Sequence, residues 1–135
     1  VRRLKEASDR ALDPVAQRGG RTRMELDLLL FLHNNPGSAT AAEAVRLRQW
    51  TKSHVSAAVH SLKVRGLLSA AHMEGNRKTL RLTPLSAAES ILQEGREAQC
   101  AFFQAMRRDF TRSEERALED ILKKIARNVR DAMKK

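Results

Sequence analysis

Lys52-Ser53-His54-Val55-Ser56-Ala57-Ala58-Val59-His60-Ser61-Leu62-Lys63-Val64-Arg65-Gly66-Leu67-Leu68 separates into two faces when wound as a helix. Val55, Ala58, Val59 and Leu62 fall at i, i+3, i+4 and i+7, the spacing of a core-facing stripe. Ser53, Ser56, Ala57 and His60 repeat that spacing on another face, with Lys52 and His54 beside them. Thr51 is a candidate N-cap and Gly66 stands at the C-terminal capping position, so a helix is expected over 52–65. A helix that enters the DNA major groove needs short side chains, which let its backbone approach, and donors and acceptors for base edges. Its N-terminal amides and dipole suit phosphate contact. A small polar face is equally what an ordinary solvated surface looks like, so the flanking residues have to decide.

On the N-terminal side, Thr40 with Glu43 three residues on is a capping-box pattern and predicts a short helix over 41–47. Thr22 with Glu25 repeats the pattern and opens a helix over 24–33. Met24, Leu26, Leu28, Leu29, Leu30, Phe31 and Leu32 make that helix apolar nearly all round, as befits the middle of a domain. Residues 1–12 are helix-permissive, Asp13-Pro14 reads as a break or a fresh N-cap, and Gly19-Gly20 ends the region. Leu4, Ala7, Ala11 and Val15 lie on one stripe across Pro14. On the C-terminal side, 67–72 and 78–82 are short and strand-like, and Glu74-Gly75-Asn76 supplies a turn between them. Helix, short helix, turn, helix and two-stranded hairpin, in that order, make a winged helix-turn-helix.

The charge supports a DNA-reading use of this arrangement. Between Glu43 and Arg81 stand eight Lys or Arg residues (Arg46, Arg48, Lys52, Lys63, Arg65, Arg77, Lys78, Arg81) against two acids. Arg77 and Lys78 sit at the hairpin tip or its exit, from which a basic wing reaches an adjacent minor groove or its phosphates. The candidate DNA-contact set is Thr40, Arg48, Lys52, Ser53, His54, Ser56, Ala57, His60, Asn76, Arg77 and Lys78.

From Pro84 onward the chain is helical. A long helix is expected over 86–109 with two apolar stripes: Ala88, Leu92, Phe103, Met106 and Phe110, and Ile91, Ala98, Phe102 and Ala105. Thr111 with Glu114 opens a last helix, striped by Leu118, Ile121, Leu122, Ile125, Val129 and Ala132. A single winged-helix lobe covers only one of these faces, and what remains is a larger apolar patch than a soluble monomer exposes. Phe103, Met106, Phe110, Leu118, Ile121, Leu122, Ile125 and Val129 are therefore expected to form a homodimer interface.

Composition closes off other classes. The chain has 135 residues and a formal net charge of +10, a balance that favours polyanionic partners. Hydrophobic residues make up 41%, enough to fold on a core without disulfide or metal staples. Five aromatic residues and no Tyr argue against a stacking platform for single-stranded nucleic acid. The single Cys100 excludes an internal disulfide or a multi-Cys zinc site, fits a cytoplasmic protein, and reads as a packing residue in an apolar helix. His54 and His60 are six apart, so they are not an i, i+4 metal pair, and neither a metal nor any cofactor is expected. The longest apolar run, 28–32, is far too short to span a membrane, and no signal peptide is readable. No phosphate loop, nucleophile elbow or paired-carboxylate site appears, so an enzyme is not expected.

The run from Lys52 to Leu68 resembles the recognition helix and following strand of MarR-family transcriptional regulators, whose pattern is a Ser-x-Val-Thr/Ser core followed by Leu-Glu-x-x-Gly-Leu-Val. Arg77-Lys78 followed by Leu80-Arg81-Leu82-Thr83 resembles the family's wing. Leu118 to Val129, after Thr111 to Glu115, resembles its last helix. The wing departs from the pattern: the family usually carries an Asp-x-Arg pair, and here the tip is Glu74-Gly75-Asn76-Arg77-Lys78. Thr83-Pro84-Leu85-Ser86 also replaces the usual Leu-Thr-x-x-Gly ending. The resemblance implies a homodimer on a palindromic operator in double-stranded DNA, usually a repressor and often released by a small-molecule effector. The expected fold is mainly α with a small β-wing: an N-terminal helical region for dimerisation (1–20), a winged helix-turn-helix lobe (21–84) and C-terminal dimerisation helices (85–135). The rival readings are a winged-helix module for protein contact and a non-specific nucleoid-type DNA binder.

Overall fold

Local capping sets most element boundaries. The computed structural model describes residues 2–73 and 75–134, apart from the side chains of Ser38, Met73, Asn76, Arg77 and Lys78. Along the chain run α1 (Arg2–Arg18), α2 (Arg23–Asn34), α3 (Ala41–Arg48), α4 (Lys52–Val64), β1 (Leu68–Met73), β2 (Asn76–Pro84), α5 (Glu89–Met106) and α6 (Arg112–Ala132). Short 3-10 turns at Pro36–Ser38 and Ser86–Ala88 link them. Thr22, Thr40, Thr51 and Thr111 each cap the helix they precede, accepting a hydrogen bond from the amide three residues on. The strands pair antiparallel from Leu68 opposite Pro84 to His72 opposite Leu80, and the register shifts between His72 and Met73. The chain is mainly α with a small β-wing.

Two compact units result, the first running to Phe102 and the second starting at Phe103. In the first, α2 is the central element, with Leu26, Leu28, Leu29, Leu30, Phe31 and Leu32 all buried. Around it close Leu12, Val15 and Ala16 of α1, the inner stripe of α4, Leu68 and Leu82 of the hairpin, and Ala88 and Leu92. In the second unit, Thr111 and Glu114 complete a reciprocal capping box, which holds the Glu114 carboxyl below its ordinary range through the Thr111 amide. Its stabilising contribution is present above the ordinary carboxylate range and is lost as the pH falls through the depressed value.

The structure corrects three expectations. The break at Asp13-Pro14 does not occur: α1 runs unbroken through Pro14. Proline costs the helix one backbone hydrogen bond, but Val15 and Ala16 just after it are buried. Arg23 also grips Asp9 at 2.9 Å and Asp13 at 3.0 Å on that turn, and Asp27 on its own helix at 2.8 Å. Within the single chain Leu12, Val15 and Ala16 of α1 are inside and Leu4 is exposed. The helix expected over 86–109 begins at Glu89 and ends at Met106, and Asp109 has φ 67. Cys100 is exposed and not a packing residue.

One feature of α5 was invisible in the hydrophobic pattern. Gly95 is buried, and a Cβ placed on it would lie 3.0 Å from Leu30 Cδ2 and 3.2 Å from Leu26 Cδ1. Glycine here lets α5 approach α2 closely. Gly95→Val should destabilise the fold by about 1–3 kcal/mol through overpacking, read as a lower melting temperature by circular dichroism. An unchanged or raised melting temperature would show that the two leucines have room to move.

Candidate nucleic-acid interface

The turn between α3 and α4 is short and firmly anchored. Gln49 takes a left-handed conformation (φ 56), which turns the chain from one helix toward the next. Trp50 follows and packs edge-on against Phe31 of the central helix, with ring centroids 6.1 Å apart. The Arg48 guanidinium lies over the Trp50 ring, 4.8 Å from its centroid, a cation–π contact. Thr51 then caps α4, accepting from the His54 amide at 3.1 Å, and its hydroxyl stands 3.3 Å from that of Ser53.

The two faces of α4 divide as their spacing predicts. Val55, Ala58, Val59 and Leu62 are buried in the core. Lys52, Ser53, His54, Ser56, Ala57 and His60 are all exposed. The outward face near the start of the helix is therefore built of short side chains, and the packed stripe behind holds it in place. Thr40 sits elsewhere: half-buried, it caps α3 and forms an isolated bridge to Arg81, while the Ala39 carbonyl accepts from the Leu82 amide at 2.8 Å. Its hydroxyl is thus engaged in local structure. The Asn76, Arg77 and Lys78 side chains lie outside the described residues. Their backbone belongs to β2, after the turn at Gly75 (φ 76).

The eight basic residues of this segment are not equivalent. Arg46 is paired with Glu43 at 2.6 Å. Arg65 turns toward the buried Glu25, at 3.7 Å. Lys52, Lys63 and Arg81 are exposed and form no ion pair among the described residues. Behind Arg48, burial pushes the Asp27 carboxyl above its ordinary range, against the Arg23 hydrogen bond and the nearby charges of Arg23 and Arg48.

Sequence reasoning missed Trp50 and the reach of exposed Arg65 to buried Glu25. Trp50 carried a signal, being the only Trp in the chain, next to the Thr51 cap and two residues after Arg48. Arg65 carried none, since its partner lies 40 positions away in the chain. The second unit presents an apolar groove of about 490 Å³ lined by Phe103, Met106, Arg107, Phe110, Leu118 and Leu122. Ile121, Leu122, Ile125 and Val129 are each more than half exposed, at 56, 55, 52 and 52%. Among the described residues, no helix is long and apolar enough to cross a membrane, and no group of three or more His, Cys, Asp or Glu could hold a metal ion.

A model of the MarR family matches residues 20–77, from the α1–α2 linker into the hairpin. Among curated proteins, no sequence matches the chain significantly. Solved structures share the fold over nearly its whole length. A MarR transcriptional regulator of Methanosarcina mazei superposes with a TM-score of 0.77 at 11% identity, covering 98% of this chain and 94% of that one. A MarR family transcriptional regulator of Listeria monocytogenes complexed with 26mer DNA gives 0.74 at 17% identity, covering 95% of this chain and 84% of the other. Bordetella bronchiseptica BpsR, whose DNA binding is regulated by 6-hydroxynicotinic acid, gives 0.60 at 19% identity, covering 91% and 95%.

Proposed function

With the winged helix of this chain, residues 20–77, being of the MarR family, we propose that the protein is a transcriptional regulator that binds an operator in duplex DNA as a homodimer. The observation that carries this reading is the outward face of α4. Ser53, Ser56, Ala57 and His60 are exposed together; the first three are short enough to let the helix backbone approach base edges, and His60 adds a ring donor or acceptor. Exposed Lys52 at the start of the helix suits phosphate contact, and the DNA-bound Listeria protein of the same fold supports the assignment.

Two recognition helices reading successive major grooves need a separation of about 34 Å, which one copy of the chain does not supply. The exposed apolar residues of the second unit support a twofold partner that covers them with the same surface. Repression, with release by a small ligand, is the mode proposed; the Bordetella protein, whose DNA binding a small ligand regulates, supports the ligand dependence alone.

Gel shifts with a duplex selected from a random pool and with a scrambled duplex, over a salt series, test the reading. Preferential retardation of the selected duplex is expected. Equal shifts would indicate a nucleoid-type binder, and no shift a module for protein contact. In the same assay Arg77→Ala should weaken binding and reduce the log–log salt slope by about one unit if the side chain holds one phosphate. A wild-type slope and affinity would show the wing to be idle.

A further inference from the structure

We propose that Arg65 is a positioning residue for the recognition helix, acting through a strap that ties the end of α4 to the end of α1. The proposal rests on the DNA-binding reading above and assigns Arg65 a role other than phosphate contact.

Both helices end in the same way. At the end of α1, the Arg21 amide bonds the Ala16 carbonyl at 2.8 Å and the Gly20 amide bonds Gln17 at 3.0 Å. At the end of α4, the Leu67 amide bonds Leu62 at 2.9 Å and the Gly66 amide bonds Lys63 at 3.0 Å. These are paired Schellman closures, and each needs a left-handed residue, supplied by Gly20 (φ 66) and Gly66 (φ 72). Arg65 joins the two: its Nη1 donates to the Gly20 carbonyl oxygen at 2.6 Å.

Glu25 makes the strap charge-dependent. The residue is only 4% exposed. Its Oε1 accepts from the hydroxyls of Thr22 and Ser61, each at 3.3 Å. Its Oε2 is buried and has no hydrogen-bond donor among the described residues. The Arg65 guanidinium, 3.7 Å away, is the charge that compensates it. Glu25 thus reaches the last turn of α4 at Ser61 and Arg65, and Arg65 reaches on to the α1–α2 linker. A buried carboxylate stripped of its partner is costly, so the helix end cannot leave the linker without stranding that charge. Lys63, two residues earlier on α4, is exposed and unpaired among the described residues, and has no part in this arrangement.

The test uses the full chain, a duplex selected by the wild type from a random pool, a scrambled duplex and a potassium chloride series, with circular dichroism to show that each variant is folded at the assay temperature. Arg65→Ala should lower affinity for the selected duplex several-fold, by the fraction of molecules in which α4 is no longer held in the competent orientation. The salt slope and the affinity for the scrambled duplex should stay at wild-type values. Arg65→Lys should recover part of the loss, because one ammonium can reach only one of the two acceptors. Adding Glu25→Gln to Arg65→Ala should also recover part of it, since the stranded charge is removed. A phosphate contact predicts otherwise. The slope would fall by about one unit, both duplexes would weaken together, and Glu25→Gln would rescue nothing. That result, or wild-type affinity in Arg65→Ala, overturns the proposal. A wild type that retards neither duplex overturns the DNA-binding reading itself, and the strap's role falls with it.

Discussion

Ala57→Glu is expected to abolish operator recognition while leaving the fold intact. Ala57 is exposed midway along the outward face of α4, one helical turn from both Ser53 and His60. Glutamate has a helix propensity close to that of alanine, and the buried stripe at Val55, Ala58, Val59 and Leu62 is untouched. The substitution puts a longer side chain and a negative charge between the helix and the groove. It therefore opposes both the close approach that base contacts need and the attraction to phosphates. Specific binding exceeds non-specific binding by about 4–10 kcal/mol in typical DNA readers, and most of that margin should go. Ser56→Ala offers a graded comparison, costing about 1–3 kcal/mol if its base contact is bidentate and less otherwise. Unchanged affinity for the selected duplex in Ala57→Glu, with a wild-type circular dichroism spectrum, would remove α4 from the interface.

Ile125→Asp should separate the protomers and lose operator binding with α4 unaltered. Ile125 is 52% exposed and lies on the α6 stripe with Leu118, Ile121, Leu122 and Val129. Within one chain the change costs little, because α6 has no buried residue to displace. In a twofold interface it acts twice. Each copy loses about 1.5–3 kcal/mol of apolar burial and places a carboxylate in a desolvated seam. Ile121→Asp should behave alike. Analytical ultracentrifugation at micromolar concentration is the direct measurement. The wild type should sediment at twice the 15.2 kDa chain mass and the variant at 15.2 kDa or as aggregate. A wild type that sediments as monomer would remove the basis for two-groove reading.

The parts of the fold that were legible in the sequence are those set by near neighbours. A cap is a contact between residues three apart, and a helical stripe repeats every three or four. Thr51 capping the His54 amide, Thr111 closing its box with Glu114, and the two faces of α4 could all be read from spacing alone. The hairpin followed from its turn residues, although β2 starts earlier and runs longer than its strand-like residues suggested. The same local rules erred where a distant residue outweighed them. Proline favours a helix start or a break, but the burial of Val15 and Ala16 and the grip of Arg23 carry α1 through Pro14.

The amino-acid sequence by itself thus determined the order of elements, the face that α4 turns to the core and the face it leaves outside. Only the tertiary structure decided that Gly95 is where α5 meets Leu26 and Leu30, and that Trp50 anchors the turn on Phe31. It alone also showed Arg65 spending its charge on the Gly20 carbonyl and buried Glu25. The physical reason is range. Backbone preference and side-chain periodicity act within about one turn of helix, and composition records them directly. The Arg65–Gly20 contact spans 45 residues of chain and the Ser61–Glu25 contact 36, so each exists only because packing of the core brings its helices together.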